Sequence, residues 1–179
     1  MANESSAPAG DTGKAAPAGA NAKRMAMIVT KGTIDWAYPP FILATTAAAM
    51  GVQVTMFFTF YGLPLLLKKL DLKLGTVGNP AMKMPMMGAH LALPGLVGVM
   101  PGVEAAATTM MKNLIKKKGV ASIEELREAA IESGVKLVGC QMTMDLFELN
   151  RDDMLPGLDY VGAASYLEEA SKANMNLFI

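Results

Sequence analysis

The chain of 179 residues contains one cysteine, one histidine and 16 methionines, and these residues carry its most distinctive chemistry. Cys140 directly follows residues 135–139, an apolar run that predicts a buried strand. His90, Met84 and Met86 lie in a long segment rich in Gly, Pro and Met, which is typical of a functional loop. A lone cysteine excludes an internal disulfide framework and a zinc site of the CxxC type. The candidate chemistry is therefore that of one thiol or of thioether sulfur.

The predicted position of Cys140 suits a nucleophilic or sulfur-carrying thiol. Ligands of open α/β sheets bind beyond the carboxyl ends of the strands, and Cys140 stands between such an end and a predicted helix over residues 141–149. Because the start of a helix stabilises an anion, we expect the thiol pKa to lie below its ordinary value of about 8.5. Gly139 would allow a sharp turn that leaves the sulfur accessible. The alternative is a small, buried apolar residue, and position alone does not separate the two.

A thiol that accepts a sulfur atom and passes it on needs neither a base nor a second cysteine in the chain. A Cys–His hydrolase would require the fold to bring His90 to Cys140. Thioethers bind Cu(I), so a Met-rich Cu(I)-binding protein is one alternative. Another is a non-catalytic, oligomeric interaction module, with Cys140 buried and the Met-rich loop bound to a partner helix.

The elements that must position these residues alternate between strand and helix. Apolar runs predict strands at residues 23–30, 52–58, 135–139 and 160–161, and an edge strand at 176–179. Helical patterns cover residues 41–50, 62–70, 104–118, 122–134, 141–149 and 162–173, and residues 71–101 form a loop. The first strand, helix and second strand make a βαβ unit, which predicts parallel pairing. The whole pattern predicts a doubly wound α/β fold, with a mostly parallel sheet flanked by helices.

Charge and composition narrow the class of protein further. Sixteen basic residues balance 16 acidic ones, so the chain has no excess positive charge that would attract nucleic acid. Residues 1–22 have too little apolar surface to become ordered, which predicts a disordered tail and one domain over residues 23–179. The tail lacks the pattern of a secretory signal.

The apolar excess raises the question of a membrane span. Residues 41–67 contain no charged side chain, but Gly and polar residues interrupt the run. Strands covered on both faces by helices also read as continuous apolar runs, and we favour that explanation. Residues 84–103 are apolar too, but Pro and Gly break them repeatedly. An oligomer interface would account for the remaining apolar surface.

Segments at three predicted strand ends resemble the DsrE/DsrF-like superfamily. They are Lys31-Gly32-Thr33, Phe57-Phe58-Thr59-Phe60-Tyr61-Gly62 and Gly139-Cys140-Gln141-Met142-Thr143-Met144. The chain is most similar to the branch of single-domain, Met-rich DsrE-like proteins, over about residues 24–179. The element Cys-x-Met-Thr-Met is the specific part of this resemblance.

The resemblance implies a three-layer sandwich and a cytoplasmic sulfurtransferase or persulfide carrier of sulfur oxidation or trafficking. Cys140 is then the sulfur acceptor, and neither a cofactor nor a metal is expected. The implied partners are TusA-like and rhodanese-like sulfur-transfer proteins, and the implied assembly is a homo-oligomer, a trimer or larger. Some relatives are described as membrane-associated, which leaves peripheral membrane contact open.

Several residues could bind or orient a persulfide on Cys140. Those expected beside it, at the same edge of the sheet, are Lys31, Thr33, Tyr61, Gln141 and Met142. Those expected in the loop near the site are Met84, Met86 and His90. Packing in turns and at the rim is the alternative role for each of these side chains.

Overall fold

A computed structural model describes residues 23–75, 84–86, 89–91 and 102–179. The strands, numbered along the chain, are β1 (Arg24–Val29), β2 (Gln53–Phe58), β3 (Met84–Met86), β4 (Ala89–Leu91), β5 (Lys136–Cys140), β6 (Asp159–Val161) and β7 (Met175–Phe178). The α-helices are α1 (Ile34–Ala49), α2 (Val103–Lys117), α3 (Ile123–Glu132), α4 (Gln141–Leu146) and α5 (Ala163–Ser171). Two further segments are 3₁₀ helices, Phe60–Leu66 and Arg151–Asp153.

Five strands form one sheet in the order β6-β5-β2-β1-β7, and all neighbouring pairs are parallel. The predicted βαβ start is present, because β1 and β2 pair along their full length. The C-terminal strand β7 pairs with β1 at one edge of the sheet, also as predicted. Strands β3 and β4 form a separate antiparallel hairpin. The predicted α/β fold with a parallel sheet is thus confirmed.

Side chains alternate along the strands and build one apolar layer on each face of the sheet. On one face, Met27, Met56 and Phe58 are fully buried in the core that α1 and α3 complete. On the other face, Phe57 stacks on Tyr166 of α5, with ring centres 4.7 Å apart. Both faces of the central strands are therefore covered, which explains their continuous apolar sequence.

Helix α1 begins at Ile34, well before the predicted start at residue 41. Pro39 and Pro40 lie inside the helix, where each removes a backbone N–H. The carbonyls four residues earlier, which lose these donors, belong to the exposed residues Asp35 and Trp36. Because water can bond these carbonyls, the prolines are tolerated, and the predicted helix start was wrong.

Three other segments differ from the prediction. Residues 62–70 were predicted as a helix, but the segment that forms is the 3₁₀ helix Phe60–Leu66. Helix α4 ends at Leu146 rather than at residue 149, since Glu148 has a φ of 50°, which no right-handed helix accommodates. Within the predicted loop over residues 71–101, Met84–Met86 and Ala89–Leu91 pair as the antiparallel strands β3 and β4.

The charge-free run over residues 41–67 forms most of α1, then β2 and the 3₁₀ helix that follows it. Among the helices that the structure describes, none is both long and apolar enough to cross a bilayer. The predicted tail, residues 1–22, lies outside the described residues.

Candidate functional site

The carboxyl ends of β1, β2 and β5 meet at one edge of the sheet, and the loops after β1 and β2 are in direct contact. The N–H of Thr59 donates to the carbonyl of Val29 across 3.0 Å. A Cβ on Gly32 would overlap the carbonyl of Tyr61, and a Cβ on Gly62 would overlap that of Val29. Both positions therefore require glycine, and the absent side chains let the two loops pack backbone against backbone.

Cys140 is the last residue of β5 and directly precedes α4. Its side chain is only 5% exposed and packs in the apolar cluster that contains Phe57 and Tyr166. The expectation that the sulfur is openly accessible was therefore wrong, because strand alternation turns this side chain toward α5. Gly139 instead leaves room for the ring of Tyr160, which a Cβ would approach to 2.9 Å.

Two threonines lie beside the cysteine. Thr143 of α4 is completely buried, and its hydroxyl oxygen lies 3.1 Å from that of Thr59. The N–H of Phe60 donates to the same Thr143 oxygen, also across 3.1 Å. Phe60 has a φ of 46°, an uncommon and strained conformation for a bulky side chain. One threonine hydroxyl thus joins the end of β2 to the start of α4.

These groups set the acidity of the Cys140 thiol. Burial by itself raises the pKa of the Cys140 thiol. Hydrogen bonding to the sulfur from the hydroxyl and N–H of Thr143, the hydroxyl of Thr59 and the N–H of Met142 outweighs burial. The pKa of the Cys140 thiol therefore lies below its ordinary value. The direction of this pKa shift agrees with the prediction. The hydroxyl of Thr143 is the donor with the largest effect, followed by the N–H of the same residue.

Lys31 and Thr33, two of the predicted orienting residues, lie in the loop after β1. The Nζ atom of Lys31 lies 3.2 Å from the centre of the Trp36 ring, so a cation–π contact holds its ammonium group on α1. The Thr33 hydroxyl is buried and has no hydrogen-bond partner within the described residues, although Thr33 precedes α1 as its N-cap. The Thr33 hydroxyl is thus closed to solvent.

Tyr61 and Met142 lie on the outer surface beside the cysteine. The Tyr61 side chain is 72% exposed and stacks on Phe147, with ring centres 5.8 Å apart. The Met142 side chain is also exposed, and its backbone N–H is one of the donors to Cys140. The fold therefore brings Met142 to the thiol, whereas the described ring contact of Tyr61 is with Phe147.

Gln141 belongs to a surface network. Its amide oxygen accepts a hydrogen bond from the Arg151 guanidinium across 2.6 Å, and its amide nitrogen donates to the Asp145 carboxylate across 2.7 Å. The same guanidinium stacks over Tyr160, 4.6 Å from the ring centre. Both ends of the Gln141 amide are thus engaged away from the sulfur.

Met84, Met86 and His90 lie in the β3–β4 hairpin, and their side chains are outside the described part of the chain. In that hairpin Met84 pairs with Leu91, and Pro85 pairs with His90. Their position near Cys140 stays a prediction. Over the residues that are described, no three His, Cys, Asp or Glu side chains are grouped to hold a metal ion.

Thr59 and Thr143 were not among the residues predicted to bind or orient a persulfide. The position of Thr143 could have been recognised from the sequence. Thr143 stands three positions after Cys140 at a helix start, and the third residue of a helix faces the N-cap side chain. Thr59 has no such signal, because it meets Thr143 across 84 residues of sequence.

The sequence is similar to known proteins along most of its length. A profile of the DsrE/DsrF/DrsH-like family matches residues 21–178. The sulfur carrier protein DsrE2 of Allochromatium vinosum is 52% identical over 157 residues, which span 88% of this chain and 98% of that protein. The uncharacterized protein YrkE of Bacillus subtilis is 38% identical over 162 residues, which span 88% of this chain and 97% of that protein.

A solved structure also aligns with the chain. It is that of MTH1491, a protein of unknown function from Methanobacterium thermoautotrophicum, with a TM-score of 0.44 and 11% identity over 88% of this chain and 99% of that one. The family profile and both sequence relatives span most of the chain. The protein therefore belongs to the DsrE/DsrF/DrsH-like family.

Proposed function

We propose that this chain is a sulfur carrier that holds sulfane sulfur as a persulfide on Cys140 and passes it to a partner thiol. The observation that carries this proposal is the set of donors around Cys140, which favours its thiolate although the side chain is buried. A cysteine that only fills space in apolar surroundings has a raised pKa instead. Similarity to a protein named a sulfur carrier supports a role in sulfur trafficking.

Loading of Cys140 requires no oxidant or reductant. The Cys140 thiolate attacks the outer sulfur of a donor persulfide, R–S–SH. A bond forms between Sγ and that sulfur while the S–S bond of the donor breaks, and the donor leaves as the thiolate R–S⁻. Cys140 then carries S–SH, and the reverse reaction with an acceptor thiolate unloads it.

The residues around the thiol would have different parts in this reaction. Met142 contributes its N–H to the sulfur, and Thr33 has a buried hydroxyl without a partner in the described residues. We assign Met142 to orienting the persulfide, since Lys31 and Gln141 are engaged elsewhere and the buried Thr33 hydroxyl belongs to the start of α1. The family supports TusA-like or rhodanese-like partners, a homo-oligomer and a cytoplasmic location as parts of the same proposal.

Intact mass spectrometry tests the proposal. Wild-type protein and Cys140→Ser are incubated separately with thiosulfate, polysulfide and a persulfidated cysteine donor. We expect one added sulfur atom on the wild type alone, removable by dithiothreitol. The absence of added sulfur with every donor would overturn the carrier function.

A non-catalytic interaction module is the second candidate, and the 5% exposure of Cys140 favours it. Such a module predicts that iodoacetamide reacts with Cys140 only after the protein unfolds, and that no donor adds sulfur. Alkylation of the native protein together with sulfur gain would exclude this alternative.

A further inference from the structure

Five exposed apolar side chains form one surface next to Cys140, here called the aromatic patch: Phe60, Tyr61, Met142, Leu146 and Phe147. Each is between 36% and 72% exposed. The Phe147 ring joins the two halves, because its centre lies 6.3 Å from that of Phe60 and 5.8 Å from that of Tyr61. Met142 and Leu146 lie one turn apart on the same side of α4. Exposed apolar side chains concentrated in this way are typical of an interaction surface.

The aromatic patch is attached to the groups that contact the sulfur. The N–H of Met142 is a donor to Cys140, and the N–H of Phe60 binds the Thr143 hydroxyl. Two residues of the patch region, Phe60 and Glu148, have positive φ values of 46° and 50°. Strain of this kind persists where the surrounding structure imposes it, and it is common at binding sites.

The charges in and beside the aromatic patch are mainly negative. Asp145 and Glu148 flank Leu146 and Phe147 in the sequence, and both carboxylates are exposed. Residues 141–153 contain four carboxylates and one guanidinium group. This surface therefore attracts basic side chains and disfavours a small anionic sulfur donor such as thiosulfate.

Two cations in this region, Arg151 and Lys68, have partners of their own. The Arg151 guanidinium donates to Gln141 and stacks on Tyr160. The ammonium group of Lys68 donates to the carbonyl of Asp152 across 2.6 Å. Both cations are thus engaged with other groups of the surface.

We infer that the aromatic patch docks a protein segment that carries its sulfur on a cysteine flanked by apolar and basic side chains. The inference rests on the proposed function and names its donor or acceptor class as a protein-bound thiol. Apolar neighbours of that cysteine cover the patch, while basic neighbours meet Asp145 and Glu148. The partner of the aromatic patch is thus a protein segment that is recognised by its apolar and basic side chains.

Binding alone tests the docking surface. The probe is a fluorescein-labelled peptide with the order Lys-Leu-Ala-Leu-Lys. Ala stands in place of the cysteine, so that no sulfur can be transferred. We expect Leu146→Ser and Phe147→Ser to weaken its binding about tenfold in fluorescence anisotropy, the effect of losing a buried apolar side chain. The matched control is Leu167→Ser, an exposed leucine on α5, which leaves binding unchanged. Peptides with Ser for Leu, or with Glu for Lys, bind more weakly to the wild type.

Sulfur transfer supplies a second readout. The peptide with Cys in the centre is converted to its persulfide, and glutathione persulfide serves as the small anionic donor. Intact mass then reports how fast Cys140 gains sulfur from each donor. We expect the ratio of the peptide rate to the glutathione rate to fall about tenfold in Phe147→Ser, in step with the weaker binding.

The two readouts separate failure of docking from failure of the carrier function. Equal binding of every peptide to every variant, with an unchanged rate ratio, would overturn the docking surface and leave the carrier function standing. Binding that depends on the patch, without sulfur gain from any donor, would overturn the carrier function and support a docking surface. Tighter binding of the Glu-flanked peptide would contradict the assigned charge of the partner.

Discussion

The sulfur of Cys140 is surrounded by hydroxyl and N–H donors, and no charged side chain is among the groups that lower its pKa. Thr143 is central to this arrangement because its oxygen accepts from the N–H of Phe60, which leaves its own proton for Thr59 or the sulfur. A hydrogen bond to a charged group contributes about 1.5–3 kcal/mol, so several of them together offset the burial of this thiol. The acidity of this thiol therefore depends on neutral side chains placed by two different elements.

Replacing Thr143 tests whether its hydroxyl lowers the pKa of the Cys140 thiol. The hydroxyl stabilises the thiolate, so its loss in Thr143→Val removes support from the charged form and raises the pKa. We expect a rise of about one pH unit, since one unit corresponds to about 1.4 kcal/mol. The ultraviolet absorbance of the thiolate, followed against pH, measures the change.

Two variants control this measurement. Thr143→Ser keeps the hydroxyl and is expected to keep the low pKa. Thr109→Val removes a hydroxyl that bonds only its own helix α2, and it should leave the titration of Cys140 unchanged. An unaltered pKa in Thr143→Val would show that the backbone donors alone determine the acidity.

The element that shapes the site is the 3₁₀ helix Phe60–Leu66, which carries two residues of the aromatic patch. Its first turn packs on β1 through Gly62 and the carbonyl of Val29. Its end is held by Arg127 of α3, a buried guanidinium that donates to the carbonyls of Leu65 and Leu67 across 2.8 and 2.7 Å. These contacts attach the 3₁₀ helix to the core at both ends, and they hold Phe60 and Tyr61 of the aromatic patch in place.

The packing at Gly62 leads to a prediction about stability. In Gly62→Ala the new methyl group meets the Val29 carbonyl, so the 3₁₀ helix and β1 must separate. We expect the free energy of unfolding in urea to fall by about 3 kcal/mol, the upper range for overpacking a core. Gly162→Ala is the matched control, because a Cβ there meets nothing within 4 Å, and its effect should stay within about 0.5 kcal/mol. Equal effects of the two substitutions would contradict this account of the loop packing.

At the scale of the whole molecule, apolar surface is left exposed after the core is built. The outer face of α1 has no charged side chain between Trp36 and Met50, and Ile42 and Leu43 on it are 46% and 44% exposed. Leu167 of α5 is 62% exposed on the opposite face of the sheet. Surfaces of this kind commonly lie in contacts between subunits.

We expect the protein to form a homo-oligomer, a trimer or larger. An uncharged helix face can pack against another copy without repulsion between like charges, so Ile42→Glu should lower the assembled mass. Sedimentation equilibrium measures this mass against the 18.9 kDa of one chain. Val120→Glu, at an exposed valine outside the helices, serves as the control. A wild-type protein that sediments as a monomer would overturn the expectation.

The sequence by itself determined the strands of the main sheet and most of the helices, because their signals are local. Apolar runs that follow helical patterns predicted the parallel sheet, and the helical pattern over residues 122–134 predicted α3, which begins with a capping box of Ser122 and Glu125. The position of Cys140 at a strand end also follows from local pattern. The ends of the elements were predicted less well. A helix was predicted to begin at residue 41, after two prolines, but both prolines lie inside α1.

Only the tertiary structure decided what surrounds the thiol. Thr59 and Thr143 meet because β2 and β5 are neighbours in the sheet, and strand order depends on contacts between distant parts of the chain. The direction of the Cys140 side chain depends on the same pairing, since it places the sulfur beneath α5 rather than in solvent. The acidity and the burial of this cysteine are therefore properties of packing, which no local stretch of sequence contains.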